Sequence, residues 1–216
     1  MAGKIDICNL ALSHIGANAA VQSIDPPDGS AEAGYCAQFY DIARKEALEA
    51  DGWLFAKTRQ ALVQVANPSS VWLYAYQRPS DCVLANRILQ LQYVQQLLWW
   101  PFAPIVTADE IQTWDERGSA AFEIEGDVIL CNEPDAVLLY IKDVTDTTKF
   151  TSSFVTFLSY LLASYLAGPI VRGDAGANTA GRLRQIAARV LGEAATRSAN
   201  QSTEVTDFVP THMRVR

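Results

Sequence analysis

Histidine is nearly absent from this chain, with His14 and His212 the only two in 216 residues, and there are just four cysteines. A Ser/His/Asp or Cys/His triad needs an imidazole held beside its nucleophile. His14 stands next to Ile15 on a helical stretch, where a histidine serving structure is expected before a general base. His212 falls near the C-terminus. Cys8, Cys36, Cys82 and Cys131 lie 28, 46 and 49 residues apart, which excludes a paired-thiolate knuckle and a short-loop disulfide framework. Three of them sit in apolar periodic stretches, as reduced core cysteines do. No metal site is expected, since no histidine pair stands at helical i, i+4 spacing. No cofactor is expected either: Gly173, Gly176 and Gly181 match neither a phosphate loop nor a dinucleotide fingerprint, and no Lys-Ser/Thr follows them.

Basic charge is also scarce. Seventeen Lys and Arg face twenty-four Asp and Glu, a net −7, which argues against wrapping nucleic acid, because such binding rests on cations that neutralise phosphates. The imbalance is uneven. From Arg172 onward seven arginines face four acids, net +3, whereas residues 1–171 carry ten bases and twenty acids. A basic end on an acidic body fits docking on an acidic surface, and fits equally a helix with a solvated Arg face.

Half of the residues are hydrophobic, enough for a sizeable core. The twenty-two residues 150–171 hold no charge and on length alone match a bilayer span. Thr151, Ser152, Ser153, Thr156, Ser159 and Ser164 interrupt the run and Gly168-Pro169 ends it, so a buried helix is expected and no membrane. The N-terminal apolar run is broken by Asp6, Asn9 and His14, which argues against an export signal.

Read along the chain, Ile5, Cys8, Leu12 and Ile15 recur at helical spacing, with Gly16 as the stop. Ser23-Ile24-Asp25-Pro26-Pro27-Asp28-Gly29 reads as rigid extended backbone. Ser30 is the expected N-cap of a second helix, with Glu32 in its first turn. Cys36, Phe39, Ala43 and Ala47 form its buried stripe, leaving Asp41, Arg44, Lys45 and Glu49 for the outer faces. After Asp51-Gly52, the cluster Trp53-Leu54-Phe55 should anchor the chain on the core.

Between about residues 58 and 145 the helical period gives way to short apolar runs punctuated by prolines, a β-rich segment. Residues 121–130 read as a hairpin turning at Gly126-Asp127. Residues 136–144 read as a strand with Leu138, Tyr140 and Lys142 on one face and Val137, Leu139 and Ile141 on the other. Leu97-Leu98-Trp99-Trp100-Pro101-Phe102 is a contact patch if exposed and core if buried, with core slightly favoured. Helix returns from Ser152 to about Leu166, and from about Asn178 to Ala199, where Leu183, Ile186, Ala187, Val190 and Ala194 make the buried stripe. A turn over 168–176 should let these two helices pack antiparallel. Residues 200–216 are polar with scattered apolar side chains, an arm that orders on a partner. The expected class is therefore α+β: a domain over 1–199 and an extended arm over 200–216.

Carboxylate pairs are the one enzymatic option left. Asp25 with Asp28, or Glu123 with Glu125, would suit a glycan hydrolase, although carboxylates without a motif usually just face water.

Several segments together resemble the head-to-tail adaptor proteins of short-tailed and related bacteriophages, also called tail tubular protein A or head-completion proteins. They are Ile5-Asp6-Ile7-Cys8-Asn9-Leu10-Ala11-Leu12, Ser23-Ile24-Asp25-Pro26-Pro27, the helix over 33–50 with Trp53 after it, Trp72-Leu73-Tyr74-Ala75-Tyr76, and Pro79-Ser80-Asp81-Cys82. Val144-Thr145-Asp146-Thr147-Thr148-Lys149-Phe150 and Leu161-Leu162-Ala163-Ser164-Tyr165-Leu166-Ala167-Gly168-Pro169 extend the likeness over about residues 4–200. The resemblance implies a non-enzymatic virion subunit, present in the host cytoplasm during assembly. Its fold would be an antiparallel helical bundle with a β-rich insertion. It would assemble as a ring of twelve below the portal, receive the tail nozzle protein beneath, and leave a channel for double-stranded DNA. The C-terminal segment would grip the portal, here through Thr203, Val205, Phe208, Val209, Arg214 and Arg216. On this reading an acid-rich ring repels phosphates and lets DNA slide without specific binding. Some relatives carry a wall-degrading activity whose catalytic motif has no match here. The alternative function is a virion-associated peptidoglycan hydrolase using one of the carboxylate pairs.

Overall fold

Four α-helices and two small antiparallel sheets form the described part of the chain, a mixed α+β architecture, in a computed structural model that describes residues 2–18, 20–89 and 119–199. The helices are α1 (Lys4–His14), α2 (Ala31–Glu49), α3 (Ser152–Val171) and α4 (Gly173–Ala199). The strands are β1 (Lys57–Ala61), β2 (Tyr74–Gln77), β3 (Cys82–Leu89), β4 (Ser119–Ala120), β5 (Phe122–Glu125), β6 (Val128–Cys131) and β7 (Val137–Lys142). One sheet runs β1-β7-β3-β4 and the other β2-β6-β5. The described residues divide into two compact units, the first within Met1–Thr58, Ser80–Asn86 and Tyr140–Ser198, the second within Arg59–Pro79 and Arg87–Leu139.

In the first unit, helix starts are set by oxygens that satisfy free backbone N–H groups. The Ser30 hydroxyl accepts from Ala33 N at 3.2 Å, the Thr151 hydroxyl from Phe154 N at 3.3 Å, and the Asp6 carboxylate from Gly3 N at 2.8 Å. Gly16, at φ +70°, follows the end of α1 where a stop was expected. The proline loop before α2 is not extended as expected. It folds into a tight turn in which Ile24 bridges Pro27, with the Asp25-Pro26 peptide cis. Asp28 ties the loop together by accepting from Gln22 N at 2.8 Å and Ser30 N at 2.9 Å.

The buried face of α2 is Ala33, Cys36, Tyr40, Ala43, Arg44, Ala47 and Leu48. Phe39 is only half-buried, and Arg44, expected outside, is 2% exposed. An i, i+3/i+4 pattern read on apolar letters alone misses a position whose charge is met inside. Of the Trp53-Leu54-Phe55 anchor, Trp53 is buried, Phe55 is half-buried and Leu54 is exposed.

Helix α3 is the centre of this unit, packing against both α1 and α2. Phe154, Phe157, Leu158, Leu161, Leu162 and Leu166 all lie in the core, each burial contributing about 1.5–3 kcal/mol. Buried hydroxyls are tolerated because they bond back along the helix: Ser164 to Leu161 O at 2.6 Å and Ser159 to Thr156 O at 2.8 Å. The helix is long and apolar enough to cross a membrane, but more than half of that stretch is buried within the protein.

The expected stop at Gly168-Pro169 fails, because Pro169 lies inside the last turn of α3. The ring forgoes the bond to the Tyr165 carbonyl and crowds it, but at the last turn that loss is small, and the preceding Gly168 has no Cβ for the ring to meet. The reversal comes instead at Arg172 and Gly173, with φ of 60° and 61°, so residues 173–176 open α4 rather than forming a loop. There the two chain segments approach closely: a Cβ on Gly176 would sit 2.9 Å from the Ala167 carbonyl oxygen, so only glycine fits. Leu183, Ala187 and Ala194 carry the α4 stripe into the core, with Val190 partly buried against it.

In the second unit the hairpin forms as the alternation predicts, pairing Phe122 with Cys131 and Glu125 with Val128 around Gly126 at φ 59°. β2 adds to β6 from Tyr74 opposite Cys131 to Gln77 opposite Val128. Residues 63–65 continue alongside β2 through Val65 N to Ala75 O at 2.9 Å and Gln77 N to Val63 O at 2.8 Å. Strand β7 does not alternate in burial as expected: Leu138, Leu139, Tyr140 and Ile141 are all buried. It lies between β1 and β3, and an inner strand covered on both faces loses its polar side. The Leu97–Phe102 cluster lies outside the described residues.

Candidate functional site

His14 is the only histidine among the described residues, so any imidazole chemistry there starts from its surroundings. α1 delivers it against α3, where its ring stacks on Tyr160 at 4.0 Å between centroids and its Nε2 lies 3.1 Å from Ser159 Oγ. A Ser–His contact is the first element of a nucleophile pair, but the proton runs the wrong way here. Ser159 donates to Thr156 O, so its oxygen accepts from His14 Nε2–H, and the imidazole offers it no lone pair. Ser159 is also fully buried on α3, out of reach of a substrate. The pair works as a polar latch between α1 and α3.

That geometry has a pH consequence. Burial pushes the His14 pKa below its ordinary 6.5, so the unfolded chain binds the proton more tightly than the folded one. The contribution is complete above 6.5, declines as pH falls through that value, and levels off below the folded pKa. The melting temperature of the wild type is therefore expected to drop between about pH 7.5 and 5.5, and the His14→Gln variant to show a flatter profile. Equal slopes in both proteins would rule out His14 as the titrating group.

The carboxylate pairs separate on inspection. Asp28 commits both oxygens to Gln22 N, Ser30 N and the Ser30 hydroxyl, and these hydrogen bonds pull its pKa down to about 2. A group so engaged is a loop clamp, ionised through the range in which a general acid must hold a proton. Asp25 is exposed on the same turn. Glu123 and Glu125 do point to one side of β5, as the two-residue period requires, and both are exposed. The Glu123 carboxylate accepts from Trp72 Nε1 at 3.0 Å.

Three charged clusters of the first unit are not visible in the sequence pattern. Arg44 on α2 donates to the Asp143 carboxylate, to Val144 O at 3.0 Å, and to Asp41 at 3.4 Å. Burial pulls its pKa down, but the two carboxylates more than offset this and hold it above the ordinary value. Asp81 accepts from the Tyr140 hydroxyl at 2.9 Å and pairs with Lys142 at 3.1 Å. Tyr165 on α3 donates to Glu46 on α2, while Arg184 of α4 lies 5.2 Å from the centre of its ring. Each links neighbouring segments of the fold. Among the described residues no three His, Cys, Asp or Glu side chains gather to hold a metal ion. A shallow depression of about 270 Å³ lies between Ser152, Ser153 and Thr156 of α3 and Val190, Glu193, Ala194 and Arg197 of α4. It carries a single carboxylate, one short of a glycosidase pair.

What the surface does offer is charge and apolar area. Arg182, Arg184, Arg189 and Arg197 are all exposed on α4. In the second unit Val63, Val71 and Leu73 are each more than two-thirds exposed. The expected arm residues Thr203, Val205, Phe208, Val209, Arg214 and Arg216, like His212, lie outside the described residues. No protein-family model and no curated protein matches this chain.

Proposed function

We propose that the chain is a structural head-to-tail adaptor of a bacteriophage virion: a non-enzymatic subunit that assembles with copies of itself, as a dodecamer, into a ring docked on the portal. The ring receives the tail nozzle below and leaves a channel through which DNA passes. On this reading the fold is an antiparallel helical bundle with a β-rich insertion and a C-terminal arm over 200–216 that grips the portal.

The observation that carries the reading is where the adaptor-like motifs fall. Cys8 and Leu12 of the opening motif, Cys36, Ala43 and Ala47 of the second helix, Trp53, and Leu161, Leu162 and Leu166 of the late motif share one core cluster. Motifs of that kind record a common scaffold rather than a common reaction centre. The second unit draws on residues 59–79 and 87–139, much of the span expected for the insertion. The four exposed α4 arginines lead toward an arm that ends with Arg214 and Arg216, a basic end suited to an acidic portal surface.

Deleting residues 200–216 is expected to reduce portal co-sedimentation at least tenfold, a loss of about 1.4 kcal/mol or more, with an unchanged circular dichroism melt. A truncated chain that binds portal like the full-length protein would remove the arm from the mechanism. Peptidoglycan turnover by the purified protein, abolished by Glu123→Gln or Glu125→Gln, would replace the adaptor reading with the hydrolase.

A further inference from the structure

The outer face of α4 is not used by its own fold. Arg182 and Arg189, seven residues apart, share one side of the helix at a separation of about 10 Å along its axis, and both are exposed. Neither meets a carboxylate among the described residues, and no Asp or Glu occurs between Asp174 and Glu193. Two glycines mark the same face. Gly176 is required by the fold, since a Cβ there would sit 2.9 Å from Ala167 O, whereas a Cβ on Gly181 or Gly192 would meet nothing within 4 Å. Glycine inside a helix costs stability, and at these two exposed positions no packing within the chain offsets it. Beside Arg182 and Arg189 they leave the helix surface low enough for another backbone to approach. A complementary surface lies on the second unit. Glu123 and Glu125 are exposed on one side of β5, and Asp127 is exposed in the turn that follows. No Lys or Arg occurs from Ser119 to Ile141, and the Glu125 and Asp127 side chains meet no base among the described residues.

We propose that the Arg182–Arg189 face of α4 docks on the β5–β6 hairpin of a second copy of the chain, setting its two guanidinium groups against the carboxylates of Glu125 and Asp127. The occupant follows from charge. A chain of net −7 repels its own copies over most of its surface, so copies meet most favourably where a helix face bearing only bases joins a hairpin bearing only acids. The two surfaces differ, and each copy offers both. The contact is therefore head-to-tail, and such a series closes into a ring or continues as a filament instead of stopping at a pair. This deepens the adaptor reading and rests on it for closure of the ring, whereas the pairing of copies is a property of the chain alone. Exposed ion pairs are individually weak and screened by salt, so the contact is weak and dissolves as ionic strength rises. The arm over 200–216 is left for the portal.

Sedimentation velocity of the full-length chain should show concentration-dependent association in about 20 mM NaCl that weakens roughly tenfold or more in about 300 mM. Arg182→Glu combined with Arg189→Glu should weaken it by roughly tenfold or more, and so should Glu125→Arg combined with Asp127→Arg. All four substitutions in one chain place opposite charges across the contact again and should restore association. The substituted residues are exposed, so every variant should keep the wild-type circular dichroism melt. The proposal is overturned if the wild type stays monomeric at low ionic strength, if either reversed pair associates like the wild type, or if the fourfold variant remains as weak as the pairs. Portal co-sedimentation separates this failure from that of the adaptor reading. Portal binding without self-association removes the contact and leaves the adaptor; self-association without portal binding does the reverse.

Discussion

Trp53→Ala is expected to destabilise the first unit by about 3–5 kcal/mol, read as a fall in the urea midpoint followed by far-ultraviolet circular dichroism. The magnitude follows from the position of this indole. It is buried, meets Phe154 edge-on at 5.0 Å and lies 6.1 Å from both Phe55 and Phe157. Its Nε1 also donates to Ala47 O at 2.7 Å, one of the last four carbonyls of α2, which lack helical partners. Alanine removes the ring contacts, the cavity filling and the cap together. Trp53→Phe keeps most of the volume and loses the cap, for about 1–2 kcal/mol. A loss below about 1 kcal/mol for Trp53→Ala would mean that the aromatic cluster does not organise the core.

Arg44→Ala is the second large effect, at roughly 2–4 kcal/mol. Its cause is the charge left behind: Asp143 and the Val144 carbonyl lose their donor, and removing one member of a buried pair costs more than the pair contributes. The upper figure for a wholly buried pair does not apply, because the Asp143 side chain is 26% exposed and water takes up part of the loss. Arg44→Lys keeps the charge but not the planar fork, so it should recover only part of the stability. A double-mutant cycle with Asp143→Asn isolates the pair. If the Arg44→Ala loss persists unchanged in the Asp143→Asn background, the effect is packing by the arginine stem and not ion pairing.

Local signals were read well where they act over a few residues. The Ser30 cap, the Gly16 stop and the Gly126 turn each rest on atoms no more than four residues apart. Misreadings came where a local rule met a distant neighbour or an unusual one. Pro169 reads as a stop until the preceding Gly168 is considered. The candidate site was legible only as a set of residue types. Asp25-Asp28 and Glu123-Glu125 stand out in one dimension, whereas Asp28 serves its loop and Glu123 receives the Trp72 indole in three.

Composition, charge layout and the alternation of helical and two-residue periods were enough to place this chain in the α+β class and to mark its apolar helix as core. Those properties are carried by each segment alone, through caps, turns and side-chain period. Which partner each polar group finds was settled by folding: Arg44 with Asp143 across 99 positions and His14 with Ser159 across 145. No local propensity encodes such pairings, because they arise when packed segments bring groups into contact and each buried donor must take the neighbour that packing supplies.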